Sequence, residues 1–184
     1  LTCDWSSDVC SSDLSLTLQG GNADSVDHRA SAAGAGRIDL SAGLSTASLT
    51  YAGLDAILDD TVASTRSFSN DTLASQTIRL SDNASIDGRA SIDANGTAGF
   101  TSLTFANPST SLVVNAGEAG DTFILEALEA GTTATIELVG GLGHDTVVAA
   151  ADADITLSDT QLDIGSETYT LSNIEEAILT GGAN

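Results

Sequence analysis

One segment of the chain combines glycines and a carboxylate at the spacing of a cation-binding turn. Residues 140–148 read Gly-Gly-Leu-Gly-His-Asp-Thr-Val-Val and fit the pattern Gly-Gly-x-Gly-x-Asp-x-(large apolar)-x at each fixed position. Calcium takes about six to eight oxygen ligands from carboxylates, backbone carbonyls and water. Glycines let the backbone turn its carbonyl oxygens towards one point, and Asp145 adds a carboxylate. The segment therefore predicts half of a calcium site.

The other half of this site is predicted 24 residues earlier in the chain. Asn115–Leu125 aligns with Val139–Ala149 without gaps, which places Asp121 on Asp145. An ion held between two such turns would take ligands from both of them. The predicted metal ligands are Asp145, Asp121, Gly141, Gly143, Gly117 and Glu118.

A second interpretation of these segments needs no ion. Ala116 and Ala119 replace two of the glycines in the earlier copy. Both segments could then be glycine-rich β-turns in which Asp145 accepts hydrogen bonds from amides of its own turn. Against this, aspartates on neighbouring turns would repel each other without a counter-ion. The sequence leaves both interpretations open.

Short apolar or alternating runs that end in glycine recur along the chain. Six of them are Ser15–Gly21, Arg37–Gly43, Ala90–Gly96, Ser111–Gly117, Thr135–Gly141 and Glu176–Gly182. Several of the closing glycines lie 21 to 24 residues apart. Such a unit predicts an all-β fold, a parallel β-helix or β-solenoid with rungs of about 20–25 residues. A β-sandwich is the alternative, because alternating strands joined by turns also fit it.

The composition limits the possible partners. Among 184 residues there are 26 acids, five arginines and no lysine, which gives a formal net charge of −21. Such a charge repels nucleic acid and anionic membranes, so neither is an expected partner. No apolar run is long enough to span a membrane, and membrane insertion is not expected. The charge instead suits divalent cations.

The first residues look foreign to the rest of the chain. Asp4–Leu14 resembles one translated frame of a DNA sequencing adapter, so we expect residues 1–14 to be a non-native leader. This leader holds Cys3 and Cys10, the only cysteines, so the remainder has no thiol chemistry. We expect residues 15–184 to form a single segment of a longer chain.

Three segments together resemble a known family. Residues 140–145, 115–121 and Leu171–Gly181 are similar to the hemolysin-type (RTX-like) calcium-binding repeats of large repetitive bacterial surface proteins. The resemblance covers about residues 71–184. It implies an extracellular, cell-surface location, a calcium-stabilised β-solenoid and a structural or adhesive role. The implied partners are calcium ions, surface polysaccharide and neighbouring repeats of the same chain.

The chain contains no recognisable catalytic motif, and we expect it not to be an enzyme. It lacks Gly-x-Ser-x-Gly, a phosphate-binding loop and His-Glu-x-x-His. His144 occupies a free position of the turn pattern and is expected to face solvent.

The alternative function is a β-helix polysaccharide lyase or hydrolase, which would need clustered carboxylates with arginines. Residues 78–89 are the most polar patch, and a solvated hairpin competes with that interpretation. Its candidate residues are Arg79, Asp82, Asp87 and Arg89.

Overall fold

The computed structural model describes residues 14–96, 99–129 and 133–182, and all their regular structure is β. The all-β class expected from the sequence is therefore confirmed. None of these residues forms a helix that could cross a membrane. The strands in chain order are β1 (Ser15–Leu18), β2 (Asn22–Ala32), β3 (Ala35–Ala42), β4 (Ser45–Tyr51), β5 (Ala56–Asp59), β6 (Val62–Asn70), β7 (Thr77–Asp82), β8 (Arg89–Asp93), β9 (Ser102–Ala106), β10 (Ser111–Asn115), β11 (Thr122–Leu125), β12 (Thr135–Val139), β13 (Thr146–Ala151), β14 (Ile155–Leu157), β15 (Gln161–Ile164), β16 (Glu167–Ser172) and β17 (Glu176–Gly181).

These strands form two large mixed sheets. The eight-stranded sheet has the order β1-β5-β9-β8-β7-β11-β13-β17, and the nine-stranded sheet has the order β14-β15-β16-β12-β10-β6-β2-β3-β4. From β9 to β13 the chain crosses to the other sheet after every strand. The strands that stack across these crossings are parallel, whereas the hairpins that branch from them are antiparallel.

Alternation of side chains along the strands builds one apolar core. In β10 the side chains of Leu112 and Val114 are buried, while their neighbours are only partly buried. Phe123 and Leu125 of β11 are buried in the same way. A period of two puts alternate side chains on one face of a sheet. Because both sheets carry such a face, their inward residues join in a single cluster.

The predicted register of the best internal repeat is confirmed. Thr122 pairs with Thr146 and Phe123 pairs with Val147, so β11 and β13 stack without a shift. All six glycine-closed runs contain a strand, namely β1, β3, β8, β10, β12 and β17. A slip of one residue would turn every buried side chain outwards, so burial fixes this register.

The predicted unit of about 20–25 residues is wrong for most of the chain. Only β10 with β12 and β11 with β13 stack at a separation of 24 residues. Other stacked strands are 30 to 46 residues apart, because antiparallel excursions such as β7–β8–β9 lie between them. Gly43 lies in the turn of the β3–β4 hairpin and therefore does not close a crossing between the sheets.

A buried ion cluster ties the two sheets together. The guanidinium of Arg66 in β6 donates a 2.6 Å hydrogen bond to Asp59 Oδ2 in β5, and His28 Nε2 in β2 lies 3.0 Å from the same oxygen. Arg66 also donates to the carbonyl oxygens of Ala106 and Thr61. Burial alone would raise the pKa of Asp59, but hydrogen bonds from His28 and Arg66 hold that pKa well below its usual range. Asp59 is therefore a charged group fixed inside the core.

We predict that Arg66→Met destabilises the protein by about 3–5 kcal/mol, because it leaves the Asp59 carboxylate buried without its cation. Urea unfolding at pH 7 measures this loss. The matched control is Arg37→Met, since Arg37 pairs with Asp39 on the surface and that pair should contribute little. Equal losses in the two variants would contradict the assigned role of Arg66.

Candidate functional site

The turns that carry the chain from the nine-stranded sheet to the eight-stranded sheet lie on top of one another. Residues 116–121 follow β10, and residues 140–145 follow β12 at the same place in the fold. Main-chain hydrogen bonds join the two turns, from Leu142 N to Gly117 O at 3.1 Å and from Thr146 N to Asp121 O at 2.9 Å. The turns therefore continue the ladder of the strands on either side.

The glycines of this turn are required by close stacking. Gly141 has φ of 99°, and a Cβ atom there would overlap the carbonyl oxygen of Gly117. Gly117 has φ of 113°, and a Cβ atom there would overlap the carbonyl oxygen of Asn70 at the end of β6. Both positions combine a backbone conformation that favours glycine with a lack of space for any side chain. Stacking alone thus accounts for two glycines of the pattern.

Acidic side chains form a second ladder beside the main chain. Asp121 Oδ1 accepts the backbone N–H of Gln76 at 2.6 Å, and Asp145 Oδ1 accepts the N–H of Asp121 at 2.7 Å. Glu175 Oε2 then accepts the N–H of Asp145 at 2.8 Å. We call Gln76, Asp121, Asp145 and Glu175 the carboxylate ladder. Each of its acids bonds an amide of the adjacent turn, whereas the sequence interpretation placed such bonds within one turn.

The two aspartates of the ladder are buried and incompletely bonded. Asp121 is 2% exposed and Asp145 is 0% exposed, and the Oδ2 atom of each has no hydrogen-bond partner among the described residues. Burial raises the pKa of Asp121 to about 6, helped by the charge of Asp145 and opposed by the bond from Gln76. Burial, with the charge of Glu175, also raises the pKa of Asp145. Among the described residues, no cationic side chain is therefore hydrogen-bonded to either free oxygen.

The structure places the remaining predicted ligands differently. Glu118 is exposed and lines a groove of about 500 Å³ together with Asp71, Gly117 and Gly141, and neither Asp121 nor Asp145 lines it. Gly143 is exposed at the turn, with φ of 123°. Within residues 14–96, 99–129 and 133–182, no group of three or more His, Cys, Asp or Glu side chains is gathered for a metal. The site thus consists of Asp121 and Asp145, with Glu118 apart from them.

A hard cation fits the two free carboxylate oxygens in chemical type. Calcium prefers carboxylate and carbonyl oxygens, and the orphaned Oδ2 atoms of Asp121 and Asp145 are carboxylate oxygens on adjacent turns. Asp121 and Asp145 are therefore the residues that would hold a calcium ion. Two oxygens are fewer than calcium takes, so water or backbone carbonyls would have to complete its ligand set.

The polar patch at residues 78–89 forms a hairpin, as the competing interpretation expected. Arg79 in β7 makes an ion pair of 2.8 Å with Asp93 in β8, and it also reaches Glu126. Arg89 pairs with Asp60 at 2.8 Å. Each arginine is therefore neutralised by a carboxylate outside the patch. His144 is exposed, which confirms the expectation for it.

Two features of the site escaped the sequence analysis. Gln76 belongs to the ladder, but it precedes Asp121 by 45 residues because a hairpin is inserted between them. Glu175 continues the ladder 30 residues after Asp145. The one feature that could have identified Gln76 and Glu175 as ladder residues is their position just before a strand that pairs with β11 or β13.

The adapter-like leader lies outside the described residues except for Leu14.

We predict that Gly141→Ala destabilises the protein by at least about 2 kcal/mol more than Gly43→Ala. Both glycines have positive φ, so both variants carry the same kind of backbone strain. Only at Gly141 does the added methyl group meet a neighbouring turn, whereas the space around Gly43 is open. Urea unfolding of the two variants checks the difference. Equal losses would mean that stacking does not require the glycine at 141.

The raised pKa of Asp121 predicts a pH dependence with a definite sign. Its usual value is 3.8 and its value in the folded protein is about 6. The folded protein thus holds this proton more tightly than the unfolded chain does. The associated stability is present below pH 4 and is lost as the pH rises through 6.

In EDTA, the native chain should therefore lose on the order of 2 kcal/mol of stability relative to Asp121→Asn between pH 4 and pH 7. Urea unfolding of both proteins at four pH values across this range gives the difference directly. Parallel pH profiles for the two proteins would show that Asp121 does not titrate in this way.

Comparisons with known proteins suggest no function, so a proposal of function has to rest on the geometry of the site. The chain matches no protein-family model, no curated protein and no solved structure.

Proposed function

We propose that residues 15–184 are a structural or adhesive segment of a bacterial extracellular surface protein, built as a β-solenoid that calcium stabilises. The observation that carries this proposal is the carboxylate ladder on stacked turns. Three successive turns along one edge present an acid at the same position, and each acid accepts an amide of the turn beside it. A repeated arrangement of this kind, in which each turn is bonded to the next, suits a scaffold.

The pairing of strands supports a solenoid. Strands β6, β10, β12 and β16 are successive parallel neighbours in one sheet. Strands β7, β11, β13 and β17 are successive parallel neighbours in the other. The chain passes from a strand of the first set to one of the second and then starts the next layer. Each layer contacts mainly its neighbours, which is how solenoids are organised.

The buried carboxylates of Asp121 and Asp145 support the proposal that the protein binds calcium. When ionised, Asp121 and Asp145 place two negative charges on adjacent turns with little solvent. A divalent cation bound to their free oxygens would offset both the repulsion and the loss of hydration. Such a cation would lower the pKa of both groups and would remove the cost of ionising them at neutral pH.

Calcium dependence would also explain an extracellular role. A site that forms only in the folded chain adds its binding free energy to folding. The segment would stay loose where calcium is scarce and fold where the ion is abundant outside the cell. Its expected contacts there are neighbouring repeats of the same chain and surface polysaccharide. The net charge of −21 would keep such a segment soluble and away from nucleic acid.

Thermal unfolding in EDTA, in millimolar magnesium and in millimolar calcium tests the proposal. We expect calcium at about 100 times its dissociation constant to add about 2.7 kcal/mol, which raises Tm by about 5–10 °C. Asp121→Asn and Asp145→Asn should each remove that response. Asp159→Asn, at an exposed turn, is the matched control and should keep it.

An unchanged Tm of the native chain in calcium would overturn the calcium proposal. A calcium response that survives in both ladder variants would place the ion elsewhere. A response of the same size in magnesium would show general screening of charge, since magnesium demands a stricter geometry than calcium does.

A further inference from the structure

One edge of the nine-stranded sheet has none of the usual protection against pairing. Strand β4 lies at this edge, and β3 is the only strand paired with it in the described part of the chain. Its sequence, Ser-Thr-Ala-Ser-Leu-Thr-Tyr, contains no charge and no proline, and its register with β3 has no bulge. Native proteins usually protect such edges with lysine, proline or bulges. The outward amides and carbonyls of β4 therefore form an open template.

Strand β4 is held in place at its carboxyl end. Tyr51 pairs with Gly36 of β3, and its side chain occupies the space that a Cβ atom on Gly36 would need. The Tyr51 hydroxyl lies close to the side chain of Thr101, which precedes β9 of the other sheet. An aromatic ring over a glycine on the neighbouring strand is a known way to fix an edge. A partner would therefore meet a preformed strand.

The same edge carries apolar side chains that the chain does not cover. Leu40 of β3 and Leu49 of β4 are only partly buried against the core, and Ala47 between them is exposed. Leu44, in the hairpin turn beside them, is fully exposed. A strand added to β4 would cover part of this strip and gain the free energy of apolar burial.

The distribution of charge favours a second copy of the chain as the partner. Ser15–Gly53 carries three acids and two arginines, whereas most of the net charge of −21 lies beyond it. The strand that would pair carries no charge itself, and its segment has a net charge of only −1, so two copies can approach each other at β4 with little repulsion. An uncharged strand is also self-complementary when it pairs antiparallel with itself about a two-fold axis.

We propose that β4 pairs antiparallel with β4 of a second copy, with the two-fold axis near Ser48. The pair joins two nine-stranded sheets edge to edge and brings the two apolar strips together. Seven residues on each side bury less surface than the roughly 1,200–2,000 Å² of a stable interface. The dimer is therefore weak and forms as the protein concentration rises. It needs neither calcium nor the carboxylate ladder, so its test is independent of the proposed function.

Sedimentation equilibrium of the full chain tests the dimer at 0.15 M salt, with reductant and EDTA. The mean mass should rise with concentration from 18.5 kDa towards twice that value. Ser48→Glu places like charges face to face at the axis, beside Asp39 of β3, and should keep the protein monomeric. Thr156→Glu is the matched control, because Thr156 is exposed on β14 at the opposite edge of the same sheet and also pairs with an aspartate, Asp163. It should leave association unchanged.

Far-UV circular dichroism confirms that both variants keep their β structure. A native chain that stays monomeric at the highest soluble concentration overturns the proposal. So does a dimer that survives Ser48→Glu, and so does one that Thr156→Glu abolishes.

A disulfide provides a second, geometric test. In a chain with Cys3→Ser and Cys10→Ser, Ser48→Cys places one thiol on each copy beside the proposed axis. Mild oxidation should give a covalent dimer at least ten times faster than it does for Thr156→Cys in the same background. Equal rates for the two variants would indicate random collision and would overturn the proposal.

Discussion

The close approach of one turn to the next is the constraint on which the rest of the structure depends. At Gly141 the main chain lies so near Gly117 that no side chain fits between them. This approach sets the separation of the layers at the point where the chain crosses from sheet to sheet. Once it is set, β11 and β13 must pair without a shift. Buried residues such as Phe123 and Val147 then meet in one core.

The protein buries acids in two different ways. Asp59 is neutralised inside the core by Arg66 and is hydrogen-bonded to His28, and its pKa is lowered. Within the described residues, Asp121 and Asp145 accept hydrogen bonds from backbone amides, and their pKa values are raised by burial. The first arrangement contains its own cation, the guanidinium of Arg66. The second has no cation bonded to its free oxygens among the described residues, so ionising Asp121 and Asp145 costs free energy in the folded protein.

The sequence predicted the local repeat well and its spacing badly. The pairing of Asp121 with Asp145 followed from a gapless alignment, because the two turns are joined to strands of similar length. Gln76 could not be found in this way, since its separation of 45 residues from Asp121 includes a hairpin. The cluster of His28, Asp59 and Arg66 was also missed. Its residues come from three strands and become neighbours only through tertiary packing.

Hairpins inserted between the stacked turns explain how segments of unequal length can still form a regular ladder. An antiparallel excursion such as β7–β8–β9 extends one sheet without moving the turn before it. The turn positions can therefore stay stacked although the separation changes from 45 to 24 to 30 residues along the ladder. The turn residues are the ones constrained by that stacking, and glycine and aspartate recur together in the two turns that lie 24 residues apart, at Gly117 and Asp121 and at Gly141 and Asp145. This is why a motif at the turn carries more information about the fold than the period does.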